Sequence, residues 1–316
     1  MAQQTLRDLD GLIEAALIKA EARPALEAVA RRYAIAVTPQ IAELIEEADD
    51  PIARQFLPDG AESLSHPEES TDPTGDFLHM PVDGVVHRYR DRVLLKPVHV
   101  CPVYCRFCFR REQVGPGGEA LDEAALDRAL AYIAAHNEIF EVILTGGDPL
   151  MLSARRLKTL IGRLSEIPHL GVLRIHTRVP IADSRRIDDD MVRALATGKA
   201  LYVSIHCNHP RELTGAARAS FGRLIAAGIP LLSQTVLLKG VNDDVETLAQ
   251  LFRSLYAARV KPYYLHHPDP APGTAHFRLP LAEGRALVQA LWGRIPGPAR
   301  PIYVLDPPGG TGKVPI

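Results

Sequence analysis

The sequence predicts an α/β protein, a partial (βα)6 barrel behind an N-terminal helical region. Three observations predict it. Seven short apolar runs recur after residue 92, separated by amphipathic helical stretches. The polar, glycine- and proline-containing motifs fall directly after those runs. The first 57 residues carry their apolar side chains at helical spacing instead.

At the N-terminus, Leu9, Leu12, Ile13, Ala16 and Leu17 share one helical face, and Leu26, Val29 and Ala30 another, so residues 5–57 read as helices. Residues 58–80 are rich in Pro, Gly, Ser, Asp and Glu and read as a loop or linker. This divides the chain into a helical region with its linker, 1–80, and a barrel, 81–316. The apolar runs are VLLKPVHV (93–100), EVILT (141–145), VLRIHT (172–177), LYVSIH (201–206), LLSQTVLL (231–238), KPYYLH (261–266) and IYVL (302–305). Helical stretches such as 121–136 and 243–258 lie between them. Strands alternating with helices imply a parallel sheet, and six such units after a first strand fit a TIM-like partial barrel. CPVYCRFCFRR follows the first run; TGGDP, HTRVP, HCNHP, KGVND, HHPDP and DPPGGTGK follow later ones. In barrels the functional groups sit where strands end and loops to helices begin.

Composition narrows the function. Of the 316 residues 47% are hydrophobic and 23% charged, and nothing in these values or in the net charge of −2 suggests bulk binding to nucleic acid or an anionic membrane. No apolar run approaches the roughly 20 residues of a membrane span, and MAQQTLRDLD has no signal-peptide pattern. The expectation is a soluble cytoplasmic protein. Three of the four cysteines lie within eight residues and the fourth is Cys207. A disulfide framework spreads and pairs its cysteines, so this cluster points to metal.

Cys101-Pro-Val-Tyr-Cys105-Arg-Phe-Cys108 spaces three thiolates to hold three irons of a 4Fe–4S cube, leaving the fourth iron open. The alternative is a structural zinc with His99 or Cys207 as fourth ligand. The spacing, with an aromatic residue before the last cysteine, resembles the radical S-adenosylmethionine (SAM) superfamily signature. The resemblance implies that SAM chelates the open iron and is reductively cleaved to a 5′-deoxyadenosyl radical. Arg106, Arg110 and Arg111 are expected to add positive charge beside the cluster. TGGDP resembles the superfamily's glycine-rich motif, which assigns Gly146, Gly147 and Asp148 to SAM.

The C-terminal GGTGK is not a P-loop: Pro307 stands where a glycine is needed and Val314 where Ser or Thr would bind magnesium. By itself the motif reads as a solvated terminal lysine; the alternative is a lysine presented on a glycine-rich turn to form an imine with a carbonyl. From about residue 50 onward the chain closely resembles the lysine 2,3-aminomutase family, through HRYRDRVLL, CPVYCRFCFRR, TGGDP, IHTRVP, HCNHP, QTVLLKGVND, PYYLHHPD and DPPGGTGK in order. The resemblance implies that Lys313 holds pyridoxal 5′-phosphate (PLP), that Arg88 and Arg92 lie near its phosphate and that Gln234 makes a further contact there. It implies that Arg110 pairs with the substrate carboxylate and that Asp269 and Asp306 bind the substrate ε-ammonium. Two converging carboxylates favour a cation, so lysine is the expected substrate; arginine, ornithine or glutamate remain alternatives, as does a non-enzymatic zinc module. His206 and His209 are placed at a strand end without a catalytic role. The larger clostridial-type members continue past the pyridoxal lysine with a zinc-binding, oligomer-forming segment; this sequence ends at Ile316 and is expected to lack it. The short form resembles the bacterial aminomutase that makes β-lysine for elongation factor P. An external electron donor such as flavodoxin or ferredoxin is implied, and a homo-oligomer is allowed.

Overall fold

The seven apolar runs are seven parallel strands, laid side by side in chain order. In the computed structural model, which describes residues 4–115, 119–307, 310 and 312–316, they are β2 (Arg92–Val98), β3 (Glu141–Gly146), β4 (Val172–Thr177), β5 (Ala200–His206), β6 (Leu231–Val236), β7 (Val260–His266) and β8 (Ile302–Leu305). The sequence reading places no strand before residue 93, yet β1 (Val85–Tyr89) pairs antiparallel with β2 across a tight turn. β9 (Val314–Pro315) pairs antiparallel with β8 at the other edge.

Helices Glu123–Ala135, Ala154–Ser165, Asp189–Ala194, Gly215–Ala226, Val245–Ala257 and Leu281–Ala290 follow β2 to β7, completing six βα units. Local chemistry starts five of them. Asp122, Ser153, Asp188, Thr214 and Asp244 stand in extended conformation before the first turn and accept hydrogen bonds from otherwise orphaned backbone N–H groups. Each such cap is worth about 1 kcal/mol.

Strand alternation divides the barrel wall into two faces. Leu201, Val203 and Ile205 of β5 join the apolar core, as do Leu173 and Ile175 of β4. The intervening Tyr202, Ser204 and His206, with Arg174 and His176, therefore face the interior. That inner wall is polar, which suits a cavity rather than a packed core.

The wall is not closed by a continuous ladder, since β1 and β9 end the strand order at opposite edges. Side chains of β1 bridge the gap. Arg88 Nε donates to Gly310 O at 3.0 Å, and Tyr89 Oη accepts from Lys313 N at 2.8 Å. The C-terminal segment is thereby held against β1.

The N-terminal region is less helical than its apolar spacing predicts. Helices cover Leu9–Glu14 and Arg23–Arg32, with single turns at Pro39–Ala42 and Ala53–Phe56. Ala16, expected on the first helical face, has φ +57°, and this left-handed turn ends that helix. Leu12, Ile41 and Phe56 nevertheless share the apolar core with the barrel strands. Thr38 Oγ1 donates to Ala182 O, and Gln40 Nε2 to Ile181 O, both at 2.6 Å. No helix among the described residues is long and apolar enough to cross a membrane.

Candidate active site

Cys101, Cys105 and Cys108 lie on the loop that leaves β2, all three half-buried and free. Burial pushes their thiols up, Cys108 to about 11. Protein surroundings alone therefore favour the protonated form, and a bound metal centre would supply the charge that favours the thiolates. Among the described residues no three His, Cys, Asp or Glu side chains close on one point as a single metal ion requires. Three thiols on one loop suit a cluster in which each sulfur takes its own iron. Cys207, weighed as a zinc ligand, is fully buried in the apolar core with its thiol directed to His209 O.

The glycine-rich turn after β3 packs directly on this loop. Gly147 N donates to Val98 O at 2.7 Å and Asp148 N to Val100 O at 2.8 Å. A Cβ on Gly147 would lie 2.5 Å from Val100 O, and Gly146 has φ +103° with Val98 O 2.9 Å from the position of a Cβ. Neither position accepts a side chain. Asp148 offers no free carboxylate: it accepts from Thr177 Oγ1, Arg178 N, Val179 N and Leu150 N. It ties the end of β3 to the end of β4.

All three arginines expected to charge the cluster surroundings are paired with buried acids. Arg106 and Arg111 converge on Glu62, and all three side chains are fully buried. Arg106 Nη2 lies 2.5 Å from Glu62 Oε2, and Arg106 Nη1 donates to Ala34 O at 2.7 Å. They pin the cysteine loop to the N-terminal region. Arg110 donates through Nε and Nη2 to Asp76 Oδ2, at 3.2 and 2.7 Å, so the guanidinium assigned to a substrate carboxylate is already paired. Beside it Lys96, 2% exposed on β2, has Met80 Sδ as its contact at 3.5 Å. Burial and the nearby Arg110 lower its pKa.

At the C-terminus Asp306 joins two predicted residues. It accepts from Arg88 Nη1 at 2.7 Å and from Lys313 Nζ at 2.9 Å. Arg88 also donates to Thr74 O, Gly310 O and Pro307 O, and its side chain is buried. Arg92 stacks on Tyr89 at 3.9 Å and pairs with Asp91, with a third of its side chain exposed. Residues 308, 309 and 311 of DPPGGTGK lie outside the described residues. Burial, reinforced by Asp306, pushes the Asp269 carboxyl up to about 7, against the pull of Lys313 and Arg110. Lys313, Asp306, Asp269 and Arg110 thus share one electrostatic environment.

Between the cysteine loop and Lys313 runs the polar inner wall. His176 on β4, His206 on β5 and His266 on β7 are held neutral by burial, reinforced by nearby positive charge, His266 at about 3. His176 Nε2, His206 Nε2 and Ser204 Oγ are buried and have no hydrogen-bond partner among the described residues. Gln234 stands opposite His206 in the β5–β6 register and opposite Tyr264 in β6–β7. Such orphaned polar atoms fit an interior built around polar ligands. His209 instead caps the short turn at Pro210, accepting from Arg211 N.

Sequence reasoning missed Glu62, Asp76, Lys96 and Glu212. Two had a signal: Asp59 and Glu62 have capping-box spacing, and Lys96 is an ionisable residue inside an apolar run.

Residues 95–252 match the family model for the radical SAM superfamily. The chain is 39% identical over 284 residues to L-lysine 2,3-aminomutase of Acetoanaerobium sticklandii, covering 89% of this chain and 69% of that one. It is 32% identical over 313 residues to glutamate 2,3-aminomutase of Clostridioides difficile, covering 98% and 74%. Among solved structures, native anSMEcpe with bound AdoMet and Cp18Cys peptide aligns with a TM-score of 0.50 and 12% identity over 64% of this chain and 58% of that one, a likeness of fold. With its signature cysteines, its partial barrel and this identity, the chain belongs to the radical SAM superfamily and, within it, to the lysine 2,3-aminomutase family of isomerases, whose members use a 4Fe–4S cluster, SAM and PLP.

Proposed function

We propose that this chain interconverts L-lysine and β-lysine by moving an amino group between C2 and C3. The observation that carries the choice of lysine is the pair Asp269 and Asp306 beside Lys313. The Asp269 carboxyl sits at about 7 because burial and a second carboxylate oppose its ionisation. A substrate ammonium between the two acids would relieve that opposition; a glutamate side chain would add a third negative charge. Cys101, Cys105 and Cys108 would hold the cluster, Gly146 and Gly147 would admit the methionyl end of SAM to the backbone, and Lys313 would carry PLP. Arg88 and Arg92 would serve the phosphate and Gln234 the inner wall. Arg110 would meet the substrate carboxylate through N–H groups that Asp76 leaves over. When bound, the cluster and SAM supply a hydrogen-abstracting radical and PLP supplies a π-system for the migrating nitrogen; the chain positions them. A flavodoxin- or ferredoxin-type donor in the cytoplasm fits the thiol-held cluster.

The test is an anaerobic assay of protein reconstituted with iron, sulfide and PLP, given dithionite and SAM, and offered lysine, arginine, ornithine and glutamate. β-Lysine formation from lysine is the expected result. Conversion of glutamate but not lysine would overturn the assignment.

The acid pair also predicts a pH dependence. Binding of the ε-ammonium needs Asp269 ionised, and ionisation increases as pH rises through about 7. Below that point kcat/KM for lysine is expected to fall about tenfold per pH unit, as for a single ionisation. Asp269→Asn should flatten this limb. A wild-type profile already flat between pH 6 and 8 contradicts the role.

A further inference from the structure

We propose that Arg178 tunes the reduction potential of the cluster through the N–H it donates to Cys105 Sγ, and that Glu212 and Gln55 hold it in position. The inference rests on the cluster reading of Cys101, Cys105 and Cys108. Arg178 belongs to HTRVP at the end of β4, a motif the functional reading leaves without a task. Its Nη1 lies 3.0 Å from Cys105 Sγ. Nη2 donates to Glu212 Oε2 and Gln55 Oε1, both at 2.7 Å. The side chain is 6% exposed, and its guanidinium lies 4.6 Å from the Phe56 ring centre and 5.4 Å from that of Phe107.

The supports are themselves fixed. Gln55 and Glu212 are fully buried. Gln55 Nε2 donates to Pro51 O and Glu212 Oε1, while its Oε1 accepts from Arg178 and from Asn208 Nδ2. Glu212 Oε1 also accepts from the backbone N–H groups of Asn208 and His209. The Arg178 backbone N–H holds Asp148, so one residue links the cysteine loop to the glycine-rich turn.

Cluster reduction adds one electron from an external one-electron donor and no proton, so the net charge becomes more negative by one. A buried cationic donor on a cluster sulfur stabilises the reduced form more than the oxidised form and raises the potential. Glu212, on the far side of the guanidinium, opposes that effect. Arg178 is a positioning residue, since it acts through the ligand sulfur.

The test uses the full chain, reconstituted with iron and sulfide and without SAM or substrate. It is titrated with dithionite while the reduced cluster is followed by electron paramagnetic resonance. At the wild-type midpoint, Arg178→Met should lower the reduced-to-oxidised ratio about tenfold, the equivalent of about 59 mV for one electron. Arg178→Lys should recover part of the shift. Glu212→Gln should move the midpoint the opposite way, and Gln55→Glu the same way as Arg178→Met. A purely structural role predicts no such opposed signs. Unchanged midpoints at full iron and sulfide content overturn the proposal. If Arg178→Met holds no cluster, the Glu212 and Gln55 variants, which keep Arg178, decide it by the same criterion. A wild-type protein that binds no iron and sulfide would instead sink the cluster reading.

Discussion

Glu62→Gln is expected to cost about 3–5 kcal/mol of stability, the penalty for breaking a buried ion pair. Two guanidiniums converge on this carboxylate, and Glu62, Arg106 and Arg111 are all fully buried. Removing its charge leaves two cations to share a neutral amide away from water. Their other partners are dipoles: Ala34 O for Arg106, and Pro272 O and Gly273 O for Arg111. Arg106 and Arg111 flank the last cluster cysteine, so the same substitution should lower the iron retained after reconstitution. Glu68→Gln is the control. Its pair with Arg278 spans 2.9 Å, but Glu68 is 58% exposed, and such pairs contribute at most about 1 kcal/mol. Denaturant unfolding of the three proteins checks this. Equal midpoints for Glu62→Gln and the control would mean the two arginines are satisfied without the carboxylate.

The position of Glu62 explains what could be read in advance. The parallel strands were legible because one face of each packs in the apolar core, which leaves short runs rich in Val, Ile and Leu between helical stretches. Their order followed from βα alternation, and the site motifs from their place at strand ends. β1 was not legible, because only Val85 and Val86 of its five residues are buried and the rest of it is the polar run His-Arg-Tyr, too short an apolar signal to read as a strand. The end of the first helix was hidden because nothing in Ala16 announces a left-handed turn. The arginines beside the cysteines were read by residue type, which does not reveal a partner. Arg106 meets Glu62 from 44 residues away, and Arg110 meets Asp76 from 34. Both acids lie in the stretch read as a linker for its Pro and Gly content. Ion pairs of this kind follow from tertiary approach, which local composition does not encode. Family resemblance located Lys313, Asp306 and Arg88, yet the bonds among them appear only in three dimensions.

Those bonds give Asp306→Asn its expected consequence, a loss of about 10²–10³ in kcat/KM for lysine, in the range for removing one partner of a buried charge pair. Asp306 accepts from Arg88 at 2.7 Å and Lys313 at 2.9 Å. The amide keeps the shape and removes the charge. Arg88 would retain the carbonyls of Thr74 and Gly310, so the β1 contact to the C-terminal segment should survive. Binding of PLP, followed by its absorbance, should therefore persist while substrate affinity falls. A second signature comes from Asp269, whose carboxyl is raised by burial first and by Asp306 second. With the like charge gone, its pKa should move down and the inflection of the lysine pH profile should shift to lower pH. Among the described residues the Asp306 carboxylate bonds to Arg88 and Lys313 and to no residue of the cysteine loop, so cluster content should be unchanged. An inflection that stays at about 7, or iron content that falls in step with activity, would remove Asp306 from the substrate site and make it a structural clamp on β1.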